Sequence, residues 1–183
     1  MIRDYDNYSP QLGERVYVDE CARVIGRVRC GDNVSFWPMA VARGDVNEIV
    51  IGTDTNIQDG SVLHVTHDGR YSPGGVPLLI GAEVTVGHGV ILHACNIGDR
   101  CLIGMGAIVM DRAVLDAEVM LGAGSLVPPG KRLESRFLYR GSPARRVRAL
   151  SDEEIDQLAY SAQHYVRLKN RYLAQEGVEP TIP

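Results

Sequence analysis

Bulky aromatic side chains are scarce in this sequence, which contains two Phe and one Trp among 183 residues. A core must therefore be built from aliphatic and β-branched side chains. Long apolar runs are missing as well, since no stretch approaches the roughly 18 residues that a membrane-spanning helix needs. The N-terminal residues are polar and lack the apolar stretch of a secretion signal. We therefore expect no membrane partner and a cytoplasmic location.

Neither sign of charge dominates, because the formal net charge at pH 7 is only −4. Nucleic-acid binding needs a clustered basic surface, so we expect no nucleic-acid partner. Apolar residues make up 45% of the chain, which is enough for a core and excludes global disorder. No CxxC pair is present, and we interpret the cysteines as buried free thiols rather than a zinc-thiolate site. They are Cys21, Cys30, Cys95 and Cys101.

Aliphatic residues recur at every sixth position through much of the chain, with a small or β-branched residue four positions after most of them. The clearest run is Ile97, Ile103, Val109, Leu115, Leu121 and Val127. The same period passes through Leu12, Val18, Val24, Cys30 and Phe36, then Ile51, Ile57 and Leu63, then Ile80, Val86 and Leu92. A period of six fits neither an α-helix nor strand alternation alone, but it fits a short strand followed by a turn.

The repeat predicts an all-β fold, a parallel β-helix shaped as a triangular prism. Three hexads would close one coil of about 18 residues, and stacked coils would bury a core that no single repeat can bury. We expect glycines to supply the positive φ angles of the tight turns. The hexapeptide-repeat class that this pattern resembles implies a left-handed coil.

The repeat is interrupted in three places. Three extra residues fall around Arg43-Gly44-Asp45, and 11 extra residues lie between Leu63 and Ile80, while one residue is missing between Leu92 and Ile97. Loops at the corners of a regular solenoid often carry function. The longest interruption predicts a loop over residues 65–79.

The repeat ends near Pro128-Pro129-Gly130, and residues 1–135 are predicted to form the β-helix domain. Ser151 and Glu154 have the spacing of a capping box, followed by apolar residues at helical intervals. Residues 136–176 are therefore predicted to form a turn and a C-terminal α-helix that packs on the outside of the prism. Residues 177–183 are expected to be a loose tail.

The prism geometry brings two histidines together. His64 and His93 follow the inward Leu63 and Leu92, and removing the loop between them leaves one coil of separation. They should point outward from adjacent rungs about 4.8 Å apart, a spacing that suits two imidazoles on one metal ion. His88 falls on the neighbouring face, so a third ligand would come from another subunit. We therefore predict a homotrimer with shared metal sites.

The sequence resembles the gamma-class carbonic anhydrase family and its bacterial relatives over nearly the whole chain. The matching residues are Arg43-Gly44-Asp45, Asn56-Ile57-Gln58-Asp59, His64, Gly87-His88-Gly89 and Leu92-His93. The resemblance implies a trimeric β-helix in which His64, His88 and His93 hold Zn²⁺, with Fe²⁺ or Co²⁺ as alternatives. The metal would lower the pKa of bound water to about 7, and hydroxide would attack CO₂ to form bicarbonate.

Further roles are implied by the same resemblance. Gln58 would orient the hydroxide or CO₂, and Asn56 would add a polar contact. Tyr165 would lie near the metal, with simple helix packing as the alternative. The remaining charged residues would form an ion-pair network across the subunit interface, or serve structure alone. They are Arg43, Asp45 and Asp59.

The chain departs from the most active prototypes of that family in two places. Val46 stands where they carry a glutamate after Arg-Gly-Asp, and residues 65–79 contain no glutamate to act as proton shuttle. His67 could take the shuttle role because its ordinary pKa is near 6.5, or it is an ordinary exposed loop histidine.

Three functions follow from these features. The first is a carbonic anhydrase-like hydratase acting on CO₂ and bicarbonate. The second is a hydrolase or acyltransferase acting on a coenzyme A thioester, since many acyltransferases share the hexapeptide repeat. The third is a non-catalytic metal-binding assembly subunit, which the missing glutamates favour.

Overall fold

The chain forms a three-sided, left-handed parallel β-helix with one C-terminal α-helix, as the hexad repeat predicts. The computed structural model describes residues 1–175. The elements in chain order are β1 (Ile2–Arg3), β2 (Gln11–Leu12), β3 (Tyr17–Val18), β4 (Arg23–Cys30), β5 (Ser35–Phe36), β6 (Val41–Ile51), β7 (Asn56–Ile57), β8 (Val62–His64), β9 (Leu78–Ile80), β10 (Thr85–Val86), β11 (Ile91–His93), β12 (Asn96–Ile97), β13 (Leu102–Ile103), β14 (Ile108–Val109), β15 (Val114–Leu115), β16 (Met120–Leu121), β17 (Leu126–Val127), β18 (Arg132–Leu133), β19 (Phe137–Arg140), β20 (Arg145–Ala149) and α1 (Asp152–Gln175).

Parallel ladders build three faces. Face 1 contains β1, the first halves of β4 and β6, then β8, β11, β14 and β17. Face 2 contains β2, the second halves of β4 and β6, then β9, β12, β15 and β18. Face 3 runs from β3 through β5, β7, β10, β13, β16 and β19 to β20. Because β4 and β6 pass through a corner without a break, faces 1 and 2 are joined in one sheet.

The aliphatic hexad positions point into the prism and form its core. The predicted inward residues from Val24 to Val127 are buried, as are the small residues four positions later, such as Ala107 and Ser125. Leu12 and Val18 are only half-buried because they belong to the first coil, which is covered on one side only. The core therefore follows the repeat, with Phe36 as its fully buried phenylalanine.

Glycines such as Gly89 and Gly124 supply positive φ angles as expected, but they do not supply all of them. Among the described residues, 11 non-glycine residues also adopt positive φ, including Asn33, Asp54 and Arg100. Several glycines are needed for a different reason. At Gly98 an added Cβ would lie 2.6 Å from the backbone nitrogen of Ala117 in the next coil. Close stacking of the coils therefore explains why glycine is needed at some positions where the turn does not require a positive φ.

The two insertions project beside each other. The ladder between β4 and β6 shifts from Gly26 opposite Gly44 to Val28 opposite Ile49, so residues 45–48 bulge outward. The second insertion, between β8 and β9, is closed at its base by an antiparallel bridge between Thr66 and Val76. It is therefore a fastened loop with its own hydrogen bonds.

The C-terminal part extends the prism beyond the predicted boundary at residue 135. Strand β19 pairs in parallel with β16, and β20 returns antiparallel to β19. The predicted capping box is confirmed, since the Glu154 amide donates to Ser151 Oγ and the Ser151 amide donates to the Glu154 carboxylate. Helix α1 packs on face 3 against β5, β7 and β10. The expected tail at residues 177–183 lies outside the described residues.

The cysteine expectation is wrong at one position. Cys30, Cys95 and Cys101 are buried free thiols, whereas Cys21 is exposed because it lies in the turn between β3 and β4. Burial raises the pKa of Cys30 to about 11 and that of Cys101 to about 12, so both remain unreactive thiols. Within residues 1–175, no helix has both the length and the apolarity that crossing a membrane would require.

Candidate metal centre

Two histidines meet on face 1. His64 ends β8 and His93 ends β11, and the ladder places them directly opposite each other on adjacent rungs. The distance from His64 Nδ1 to His93 Nε2 is 3.3 Å. Two nitrogens bound at about 2.0–2.1 Å to one tetrahedral ion lie about 3.3 Å from each other. The separation therefore suits a shared cation.

Each ring of this pair is held on its other nitrogen by an aspartate. His64 Nε2 lies 3.0 Å from Asp45 Oδ1, and His93 Nδ1 lies 2.7 Å from Asp111 Oδ1. An ionised carboxylate only accepts hydrogen bonds, so the nitrogens that face it carry the protons. When both rings are neutral, the two nitrogens that face each other are then unprotonated, and their lone pairs repel unless a cation lies between them. The donor chemistry of the pair therefore fits a metal ion.

The surroundings of the pair shift the pKa of His64 and of both aspartates. Burial lowers the pKa of His64, and the hydrogen bond to Asp45 opposes that shift. Burial alone would raise the pKa of Asp45, but hydrogen bonds from Arg43 and His64 outweigh it and bring the pKa below its ordinary value. Asp111 behaves in the same way, through hydrogen bonds from Thr66 and His93. These shifts favour the neutral form of His64 and the ionised forms of Asp45 and Asp111.

His88 lies on face 3, away from the pair. It follows β10, and its Nδ1 lies 2.9 Å from Asp59 Oδ2. Both side chains are about half exposed. Among the described residues of a single chain, no three histidine, cysteine or carboxylate side chains converge on a point that could hold a metal ion. One chain thus offers two ligands at one place and a third candidate at another.

The predicted polar residues of face 3 form a buried chain of hydrogen bonds. Gln58 Nε2 donates to Asn56 Oδ1 at 3.0 Å, and Asn56 Nδ2 donates to the Thr85 hydroxyl at 3.1 Å. The Thr85 hydroxyl in turn lies 3.1 Å from that of Ser161 on α1. Asn56 and Gln58 are almost fully buried. The network therefore fixes the orientation of the Gln58 amide.

A groove between face 3 and α1 joins several candidate residues. It has a volume of about 410 Å³ and is lined by Gln58, His88 and Tyr165 together with mostly apolar side chains such as Met105. Burial raises the pKa of Tyr165, and the negative charge of Asp59 adds to that shift. The Tyr165 ring also packs edge-on against Trp37. Tyr165 therefore packs the helix and also borders the groove beside His88, and its place near the metal stays a prediction.

The remaining predicted residues are placed as follows. Arg43 forms its ion pair with Asp45 within the same chain, while Asp59 pairs with His88. An Arg43–Asp59 contact between subunits therefore stays a prediction. His67 is exposed on the loop. Its shuttle role also stays a prediction, since within residues 1–175 no hydrogen bond connects it to His64 or His93.

Asp111 and Thr66 are site residues that the sequence did not indicate. The Thr66 hydroxyl donates a short hydrogen bond to Asp111 Oδ2, opposite the oxygen that faces His93. Asp111 lies 18 residues after His93, which is one coil along the prism. This spacing is the sequence feature from which the contact with His93 could have been predicted. Nothing in the sequence indicates the contact made by Thr66, because it depends on how the loop folds back.

Comparison with known proteins places the chain in a family. Protein YrdA from Escherichia coli (strain K12) is 55% identical over 175 residues, covering 96% of this chain and 95% of that protein. The mitochondrial gamma carbonic anhydrase 2 of Arabidopsis thaliana is 42% identical over 169 residues, covering 92% of this chain and 60% of that longer protein. The chain belongs to the gamma carbonic anhydrase-like family of hexapeptide-repeat proteins.

A solved structure supports membership of the chain in the hexapeptide-repeat proteins. The crystal structure of a hexapeptide transferase family protein from Anaplasma phagocytophilum superposes with a TM-score of 0.87 at 41% identity, covering 94% of this chain and 98% of that chain. No family model matches the sequence. Relatives named as carbonic anhydrases support a carbonic anhydrase-like function for this family member, while the transferase name keeps a second chemistry open.

Proposed function

We propose that this family member binds a divalent metal ion, with Zn²⁺ as the first candidate, and catalyses the reversible hydration of CO₂ to bicarbonate. The observation that carries the proposal is the pair of facing ring nitrogens of His64 and His93, 3.3 Å apart, with each ring held from behind by an aspartate. Imidazole also accepts Fe²⁺ and Co²⁺, so identifying the metal is part of the test.

The third ligand in this proposal is His88 of the partner subunit. His64 and His93 lie on face 1, whereas His88 lies on face 3, so one copy would have to pack its third face against the first face of the next. Repeating such a head-to-tail contact around a threefold axis closes a ring of three. The proposal is therefore a homotrimer with three shared sites, each with an open coordination position as catalytic zinc sites have.

The chain's own residues would bind and orient the substrate. Zn²⁺ at this site would supply hydroxide at neutral pH, because a zinc-coordinated water has a pKa of about 7. The apolar groove beside Met105 and Tyr165 suits CO₂, which carries no net dipole. Gln58 Nε2 is occupied by Asn56, so the amide presents Oε1 as an acceptor that can orient a hydroxyl proton. Asn56 then acts through Gln58 as a positioning residue.

The direct test is CO₂ hydration by stopped flow on anaerobically purified protein whose metal content has been measured. We expect activity that scales with metal content and is lost in His93→Ala. Residual activity equal to wild type in a metal-free His93→Ala protein would reject the proposal. A fully metal-loaded wild type without activity would discard CO₂ hydration while keeping the metal site, and would favour the assembly role.

The shared-site geometry has its own test. His88→Ala and His93→Ala each remove a ligand, but in every mixed trimer one of the three sites regains a complete set, which is about one site in four when the two variants assemble at random in equal amounts. Unfolding and refolding the two variants together should therefore restore part of the metal binding that neither retains alone. No recovery in trimers shown to be mixed would mean that His88 and the histidine pair do not serve one site.

A second candidate is turnover of a coenzyme A thioester. Two observations favour it: the groove of about 410 Å³ next to His88 is far larger than CO₂ requires, and a structural relative is named as a hexapeptide transferase family protein. The discriminating measurement is thiol release from acetyl coenzyme A. Thiol release lost in His88→Ala, with no CO₂ hydration in wild type, would establish this chemistry instead.

A further inference from the structure

We infer that Asp111, held in place by Thr66, is the positioning residue that presents His93 Nε2 to the metal. The inference deepens the proposed metal site and rests on it. Asp111 touches neither substrate nor metal in this arrangement. Its role is to determine which ring nitrogen of His93 faces His64.

Both oxygens of the Asp111 carboxylate are committed. Oδ1 lies 2.7 Å from His93 Nδ1, and Oδ2 accepts a hydrogen bond from the Thr66 hydroxyl. The first distance is that of a charge-assisted hydrogen bond, which is about twice as strong as a neutral one. Since the carboxylate can only accept, His93 must carry its proton on Nδ1, and the lone pair stays on Nε2. Rotating the ring would break the contact.

The Asp111 side chain is only 28% exposed, so water competes weakly for these hydrogen bonds. Its backbone is also fixed, because the Gly130 amide donates to the Asp111 carbonyl at 2.9 Å from the next coil. The carboxylate therefore belongs to the rigid prism. It can hold His93 at a defined angle without help from a partner subunit.

Thr66 is fixed just as firmly, although it lies at the base of the long loop. Its amide and carbonyl both pair with Val76 at 3.0 Å, and its carbonyl also accepts from Asn47 Nδ2 at 3.1 Å. Farther along the loop, Arg112 donates to the buried Ser72 hydroxyl at 2.7 Å. The loop is thus tied to the bulge through Thr66 and Asn47, and to the residue after Asp111 through Ser72 and Arg112.

The two insertions in the hexad repeat therefore share one role. The bulge at residues 45–48 contributes Asp45, which holds His64, and the loop contributes Thr66, which holds Asp111 and through it His93. Asn47 links the insertions to each other. The insertions are therefore a support for the two histidines.

The test uses the full chain in its native assembly and two readouts other than activity. The first is long-range ¹H–¹⁵N correlation of metal-free protein at about pH 8, where imidazole is neutral, to identify the protonated nitrogen of His93. The second is Co²⁺ affinity from the visible absorption of the bound ion. Asp111→Ala should move the proton of His93 to Nε2 and weaken Co²⁺ binding about 10–100-fold.

Three further variants control the test. Thr66→Val should weaken Co²⁺ binding less than Asp111→Ala does, and Thr66→Ser should restore it because the hydroxyl returns. Asp116→Ala removes a carboxylate that pairs with Arg132 and should change neither readout. If Asp111→Ala fails to fold, Thr66→Val against Thr66→Ser decides the question.

An unchanged His93 tautomer, or Co²⁺ affinity within about twofold of wild type, would overturn the inference. Failure of the proposed function looks different: wild type itself would then bind no Co²⁺, and His93→Ala would change nothing. In that case the tautomer measured in metal-free protein still decides whether Asp111 positions the ring.

Discussion

At the residue scale, the three candidate metal ligands share one feature, since each of these histidines has a ring nitrogen within hydrogen-bonding distance of an aspartate oxygen. The pairs are His64 with Asp45, His88 with Asp59 and His93 with Asp111. Such outer carboxylates orient a ligand ring and increase its basicity. That the same pairing appears on two different faces indicates a common requirement, which a shared metal site would explain.

Lys169 is a residue whose burial matters for stability. It lies on α1 with no exposed surface, and its Nζ donates to the Arg15 carbonyl at 2.7 Å, Asn33 Oδ1 at 3.0 Å and Asn170 Oδ1 at 2.7 Å. Lys169→Met would leave the Arg15 carbonyl and Asn33 Oδ1 without this donor, while Asn170 Oδ1 still accepts from Arg15 Nη2 at 2.9 Å. We expect a loss of about 1–3 kcal/mol in the free energy of unfolding at pH 7, measured by urea denaturation.

The same lysine predicts a pH dependence. Burial lowers the pKa of Lys169 from 10.5 to about 8, so between these values the unfolded chain binds more protons than the folded one. The cost of the buried charge is complete below about pH 8, and stability should rise relative to Lys169→Met as the pH increases toward 10. Lys131→Met, at an exposed site, should show no such difference. A flat difference between wild type and Lys169→Met from pH 7 to 10 would contradict the assignment.

At the element scale, α1 depends on its first turn. The capping box between Ser151 and Glu154 satisfies two backbone amides that the helix cannot. Ser151→Ala should lower the free energy of unfolding by about 1 kcal/mol. It should also loosen α1 before the prism unfolds, which hydrogen exchange of the α1 amides would reveal.

Glu154 makes this cap sensitive to acid. Hydrogen bonds from the Arg148 side chain and then from the Ser151 amide lower the pKa of Glu154 from 4.5 to about 2. The contribution of Glu154 to stability is therefore complete above about pH 4.5 and is lost as the pH falls toward 2.

The matched control for Ser151→Ala is Ser9→Ala, which changes an exposed serine far from the helix. Equal hydrogen exchange in α1 for Ser151→Ala and wild type would show that the cap is dispensable.

At the scale of the whole molecule, the proposed trimer depends on charged groups at the edge of face 1. The Arg43 side chain is 45% exposed, although it pairs with the largely buried Asp45. This exposure leaves the guanidinium accessible to Asp59 of the partner subunit. Removing one member of a hydrogen-bonded charge pair that becomes buried in an interface costs about 2–5 kcal/mol. Arg43→Ala should therefore shift the protein toward smaller species in sedimentation velocity.

The comparison for Arg43→Ala is Arg29→Ala, which breaks an exposed pair with Glu48 on face 2. That variant should sediment as wild type does. If Arg43→Ala retains the wild-type mass at the lowest measurable concentration, Arg43 has no role in the interface. A smaller species that still binds metal fully would instead contradict the shared site.

Much of the architecture could be predicted because it repeats. Hexad positions such as Ile103 and Leu121 are buried as expected, and the loop arithmetic placed His64 opposite His93. The predictions were less successful in two places. Cys21 is exposed because it lies in the turn between β3 and β4, and β19 continues the ladder past residue 135. The hexad period specifies inward positions but not the exposure of a turn residue, and the pairing of β19 with β16 depends on the neighbouring coil.

The sequence by itself determined the prism, its core and the faces on which the three histidines lie, because a six-residue period specifies which side of the chain faces inward. Only the tertiary structure decided which side chains hold the histidine rings in place. Asp111 and Thr66 come from different coils, and the loop must fold back before their side chains meet. The length of an insertion can be counted in a sequence, but the path of its backbone depends on the hydrogen bonds that it forms with other coils.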